Sequence, residues 1–128
     1  MARKVKTDLS FEIGFCEGIL RRNIDDSTTM ELLAGFYTKA GRIDDGLALD
    51  QKLVAMNPDS ATAYYNLACS LALKDRKKEA VDAIRSAIEK GYDDFSWMLK
   101  DPDLKSLREF RSFEALLNEF EVPGSETA

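Results

Sequence analysis

Apolar residues recur at i, i+3, i+4 and i+7 through most of the chain, the period of an amphipathic helix, and no segment sustains the alternation of a strand. Breaker signals interrupt that period at Asn23–Ser27, Ala40-Gly41-Arg42, Asn57-Pro58-Asp59-Ser60, Asp75, Gly91 and Asp101-Pro102. The pattern predicts helices over about 8–22, 27–40, 43–56, 61–74 and 77–90, with shorter ones over about 94–100, 102–108 and 110–120. The connections are short, so successive helices must run antiparallel. The fold class is all-α. Local chemistry agrees: Ser27 or Thr28 can cap the helix from 27, with Thr28-x-x-Glu31 fitting a capping box. Asp44 and Asp45 meet the positive end of the next helix dipole, and Asp59 and Ser60 can cap the helix from 61.

The chain also resembles itself. Laying 27–60 over 61–94, a shift of 34 residues, aligns Thr28 with Thr62, Leu33 with Leu67, Ala34 with Ala68, Arg42 with Arg76 and Asp59 with Asp93. The packing positions match in size as well. Met30-x-x-Leu33-Ala34-x-x-Tyr37 is followed by Gly46, Leu53 and Pro58; Tyr64-x-x-Leu67-Ala68-x-x-Leu71 is followed by Ala80-x-x-x-Ile84-x-x-Ala87. Such spacing makes one buried stripe per helix, and the small residues Ala34, Gly46, Ala68 and Ala80 allow close helix approach. This resembles the tetratricopeptide repeat family over residues 27–94. The resemblance implies helix-turn-helix units stacked in a right-handed superhelix. Three positions depart from the family pattern: Asp50 stands where a large apolar residue is usual, Leu53 replaces a small one, and Tyr92 replaces the closing proline.

Residues 8–24 look like the second helix of a preceding repeat. The run from Gly91 to Arg108, with Phe113-Glu-Ala-Leu-Leu117, is similar to the closing segment of many bacterial repeat proteins of this family. Pro102 cuts short what would be a third repeat, with Asp101 as its cap and Pro102 as its first residue. Phe95, Trp97, Met98, Leu104, Leu107, Phe110, Phe113 and Leu117 are expected to cover the open end of the stack. One domain over 8–120 is expected, between flexible tails at 1–7 and 121–128.

Composition narrows the function. Hydrophobic residues make up 45% and charged residues 32% of 128 residues, which suits a folded globular chain. A net charge of −5 argues against nucleic acid, whose backbone needs clustered cations. No apolar run suits a membrane span, and Asp8, Glu12 and Glu17 break any export signal behind the basic start, so a cytoplasmic location is expected. Cys16 and Cys69 are too few for a disulfide framework and are expected to be reduced and unpaired. The chain has no histidine, which removes the commonest general base and metal ligand. With no phosphate loop or nucleophile motif either, we expect no enzyme and assign no catalytic, cofactor or metal residue.

The family resemblance implies instead a concave groove lined by the first helix of each pair, taking a peptide or partner protein. Carried over by alignment, it would hold Thr28, Glu31, Gly35, Thr38 and Lys39, then Thr62, Tyr65, Cys69, Ala72 and Leu73. Spacing agrees, since positions 62, 65, 69 and 72 form a stripe rotated away from the buried one at 64, 67, 68 and 71. Tyr65 is the expected aromatic anchor. Some family members grip a C-terminal carboxylate with lysine, asparagine and arginine. Asn66 and Lys100 fit such a clamp, but Glu31 replaces a needed lysine and Gly35 an asparagine, so that ligand is disfavoured. The pairs Asp25-Asp26, Asp44-Asp45 and Asp93-Asp94 read as helix caps, not calcium or catalytic sites. Gly14-x-x-x-Gly18 suits a helix contact or a homodimer seam. The apolar flank of 9–20, with Leu9, Phe11, Ile13, Phe15, Ile19 and Leu20, makes a self-associating assembly subunit the alternative, along with a small acidic secretion chaperone of the same family.

Overall fold

The computed structural model describes residues 8–125; the tail expected at 1–7 and the last three residues lie outside it. Among the described residues seven α-helices follow one another: α1 (Ser10–Arg22), α2 (Ser27–Lys39), α3 (Ile43–Met56), α4 (Ala61–Leu73), α5 (Lys77–Glu89), α6 (Phe95–Met98) and α7 (Arg111–Glu119). A 3-10 helix over Pro102–Leu107 stands between α6 and α7. The described residues are all-α.

Each of the first four helices packs on the next, and the 3-10 helix and α7 close the stack on α4 and α5. The starts of α2, α4 and α6 are 34 residues apart, and so are those of α3, α5 and α7. Two side-chain contacts keep the same interval: Arg85 pairs with Glu119, and the Ser106 hydroxyl donates to the Ala72 carbonyl at 3.1 Å. The third unit departs because Pro102 cannot continue a helix from Phe95. Asp101 turns the chain there, accepting from the Asp103 amide at 3.0 Å, as the sequence led us to expect.

Helix ends repeat one device. After α2, α4, α5 and α7 the amide two residues past the cap returns to a carbonyl five residues back: Arg42 to Tyr37, Arg76 to Leu71, Tyr92 to Ala87 and Val122 to Leu117. The left-handed residue this requires is Gly41, Asp75, Gly91 or Glu121. Val122, placed by sequence in an apolar-poor tail, is thereby drawn into the core. At the other end of α2 the cap is Asp26 and not Ser27 or Thr28: its carboxylate accepts from the Thr29 amide at 3.1 Å and the Thr29 hydroxyl at 2.9 Å. Ser60 and Asp94 cap α4 and α6.

The main core runs from Leu47 through α4 and α5 to Leu104, Leu107, Phe113, Leu116 and Val122; a second, smaller one joins α1 to α2 through Leu9, Ile13, Cys16, Leu33 and Tyr37. Most of the expected end cap is inside, but Trp97 is exposed. On α1 the flank divides: Leu9 and Ile13 are covered, whereas Phe11 and Phe15 are 79% and 61% exposed. A Cβ added at Gly14 would meet nothing within 4 Å among the described residues, so the glycine pair is not a packing seam between described elements. No helix among the described residues is long and apolar enough to cross a membrane.

Candidate functional site: an acidic groove between α2 and α4

A groove of about 550 Å³ opens between α2 and α4, with α3 beneath it and the α6 to 3-10 connection closing one end. Thr28, Glu31, Gly35, Thr38 and Lys39 come from α2, and Tyr65 and Cys69 from α4. These are seven of the ten positions expected from the sequence. The other three do not line it: Thr62 and Leu73 are exposed on α4 outside the groove, and Ala72 is buried where Ser106 docks on its carbonyl.

Gly35 matters because a Cβ added there would meet nothing within 4 Å. It leaves the α2 wall open to a ligand backbone. Gly46 has the opposite role, since its added Cβ would lie 2.7 Å from the Thr38 hydroxyl and 3.2 Å from the Ala34 carbonyl oxygen. That close approach sets how tightly α3 packs beneath α2.

Tyr65 is not the exposed anchor expected. It is 6% exposed, stacked on Tyr92 with ring centroids 4.2 Å apart, and its hydroxyl donates to Asp101 Oδ2 at 2.6 Å. The Cys69 thiol lies 3.7 Å from the same oxygen. α4 carries no charge across its thirteen residues, so it is buried on two faces rather than one. The third unit covers the second face, and Tyr65 and Cys69 hold it there through Asp101. Burial, first, and the Asp101 carboxylate, second, push the Tyr65 hydroxyl well above its ordinary range. Burial together with the charges of Asp101 and Asp103 does the same for the Cys69 thiol. Cys69 therefore stays a thiol, and both cysteines are free.

The sequence reading missed the groove's floor. Asp50 of α3 is only 4% exposed, and its Oδ2 accepts a 2.5 Å hydrogen bond from the Ser70 hydroxyl. Burial pushes its carboxyl up to about 6; the Ser70 bond pulls it down and the charge of Glu31 pushes it further up. Asp103 is also raised, by burial and by Asp101. Leu32, Phe36, Asn66, Ser70 and Trp97 complete the walls. The available signal was Asp50 itself, a charge at a position that the repeat pattern fills with an apolar side chain. The Cys69 sulfur and one oxygen each of Asp101 and Asp103 lie within 4.8 Å of one another. That set is one ligand short of a closed tetrahedral site, and Asp101 Oδ2 already accepts from Tyr65.

No family model and no solved structure matches the chain. Over 88 residues, 66% of this chain, it is 28% identical to a protein of Arabidopsis thaliana whose name marks it as chloroplastic. The match takes in 26% of that protein, so the chain spans about a quarter of the length of the curated relative.

Proposed function

We propose that the chain is a small tetratricopeptide-type repeat module that binds a protein or peptide segment in the groove between α2 and α4. The observation that carries this is the position of the groove. It lies between the first helices of two units that start 34 residues apart, and it collects seven of the positions that the repeat alignment assigns to a ligand. Its shape adds support, for a concavity of several hundred Å³ with mixed apolar and polar walls is what a short segment needs. The role is binding, not catalysis: Tyr65 and Cys69 are tied up in the fold, and the chain has no histidine. Two free buried cysteines support a reducing aqueous compartment, cytoplasmic or, as its plant relative is named, chloroplastic.

Tyr65→Glu would test the fold, because it sets a carboxylate against buried Asp101. Gly35→Trp tests the groove, since the new side chain enters open space. The expected result is a partner captured by the wild type and lost by Gly35→Trp, with helicity and melting temperature preserved. Equal capture by both would overturn the groove reading. A second reading is favoured by Phe11 and Phe15, which are exposed on one face of α1 beside Gly14 and stack on each other at 6.1 Å. That face suits self-association.

A further inference from the structure

We propose that the groove selects a cationic segment, seating an arginine or lysine side chain over Asp50 and Asp103 and an apolar neighbour against Leu32, Phe36 and Trp97. The inference rests on the groove-binding reading above and names the chemistry of its occupant.

Charge complementarity carries it. Four carboxylates line the groove, on Glu31, Asp50, Asp101 and Asp103, against one ammonium, on Lys39. That net −3 is more than half of the −5 borne by the whole chain, gathered in one concavity. Concave low-dielectric walls concentrate such a field.

The ion pairs point the same way. Among the described residues, Arg42 pairs with Asp45, Lys74 with Asp44, Arg76 with Glu79, Lys77 with Asp75 and Arg85 with Glu119. None of these pairs involves a carboxylate of the groove. Asp50 has the neutral Ser70 hydroxyl, and Asp101 has the Tyr65 hydroxyl, the Cys69 thiol and the Asp103 amide. Arg108 comes near, but it donates to the Asp101 backbone carbonyl at 3.3 Å and not to the carboxylate. Buried carboxylates are ordinarily paired with a cation, because desolvation is costly otherwise. Five cations of the outer surface pair with carboxylates elsewhere, and among the described residues no lysine or arginine forms an ion pair with a carboxylate of the groove.

A guanidinium or ammonium entering the groove would meet that unmet charge. Guanidinium fits better, since its planar fork can bridge two carboxylates. The exposed Trp97 ring at the rim adds a face on which a cation can rest. The open wall at Gly35 gives the segment's backbone a place to lie.

The test begins without assuming the ligand. A random twelve-residue peptide library displayed on phage is selected on the full chain and counter-selected on Gly35→Trp. Binders are then remade as labelled peptides and titrated by fluorescence anisotropy, with each arginine or lysine replaced in turn by glutamine. The expected result is groove-dependent binders enriched in arginine or lysine. A single replacement should weaken them about tenfold or more. Asp50→Asn and Asp103→Asn should each weaken them about three- to tenfold, as should a rise in salt from low to physiological. Groove-dependent binders without basic residues, or binders indifferent to these substitutions, would overturn the cationic assignment while leaving the groove reading intact. A library that yields no groove-dependent binder would overturn both. In a parallel titration with zinc chloride alone, tight binding abolished by Cys69→Ala would assign the acids to a metal and also overturn the cationic assignment.

Discussion

At the scale of the residue, Asp50 decides how the groove responds to pH. Its carboxyl ionises near 3.8 when unfolded and at about 6 when buried over Ser70 and facing Glu31. Below about pH 4 both states are protonated and the residue costs nothing. Between about 4 and 6 the unfolded state ionises first, so stability falls as pH rises, and above that the cost stays level at roughly 3 kcal/mol. Asp50→Asn removes this titration and keeps an acceptor for the Ser70 hydroxyl. The stability difference between variant and wild type should therefore grow in the variant's favour from about pH 4 to about 6.5 by a few kcal/mol, then flatten. Urea unfolding at four pH values measures it. A difference that does not change with pH would mean that Asp50 is well solvated. A chain that keeps a buried acid without a cation at such a cost gives up stability at the place where we propose that it binds.

At the scale of the element, two helical glycines look alike in sequence and do opposite things. Gly35 faces open groove and Gly46 sits against Thr38 and Ala34. Gly35→Ala should stabilise by about 1 kcal/mol through helix propensity alone. Gly46→Ala should destabilise by about 1–3 kcal/mol, because crowding at 2.7 Å outweighs the same propensity gain. Melting temperatures moving in opposite directions would bear this out; a rise in both would mean that α3 can shift away from α2 at little cost. The sequence reading already set the two apart, with Gly35 among the expected groove positions and Gly46 among the small residues that allow close helix approach. Close approach at Gly46 follows from the spacing of the repeat, which also placed the five long helices. The faces of α4 were misread because periodicity reports which positions share a face, not how many faces are covered. Tyr65 and Cys69 share the stripe that the repeat leaves open, and only the return of the chain at Asp101, thirty-six residues after Tyr65, closes it. The absence of charge in α4 was the available hint. Asp103 and Trp97 reach the groove through the same turn, and no local pattern could have put them there.

At the scale of the whole molecule, the two ends of the stack are finished differently. The far end is sealed, since α7 and the 3-10 helix bury Leu104, Leu107, Phe113 and Leu116. Among the described residues, the near end keeps an apolar face exposed. α1 is joined to α2 through its inner face, where the Tyr37 hydroxyl donates to Glu17 at 2.5 Å and Leu9 and Ile13 are buried. Its outer face carries Phe11 and Phe15 in the open beside a Gly14 that blocks nothing. Stacked helical units normally end on a polar face, since an apolar one recruits another helix. A second copy presenting the same face would pair α1 with α1 about a two-fold axis, with the glycine letting the backbones close in. Sedimentation velocity of the full chain across a hundredfold range of concentration should show a dimer that dissociates on dilution. Phe11→Ser with Phe15→Ser should leave a monomer of unchanged helicity, because neither ring supports the fold. The groove is on other elements, so the same double variant should keep groove-dependent peptide binding within about twofold. A wild type that is monomeric throughout would remove the self-associating reading. Loss of peptide binding in the monomeric double variant would show that the two surfaces act together, with the groove completed only in the dimer.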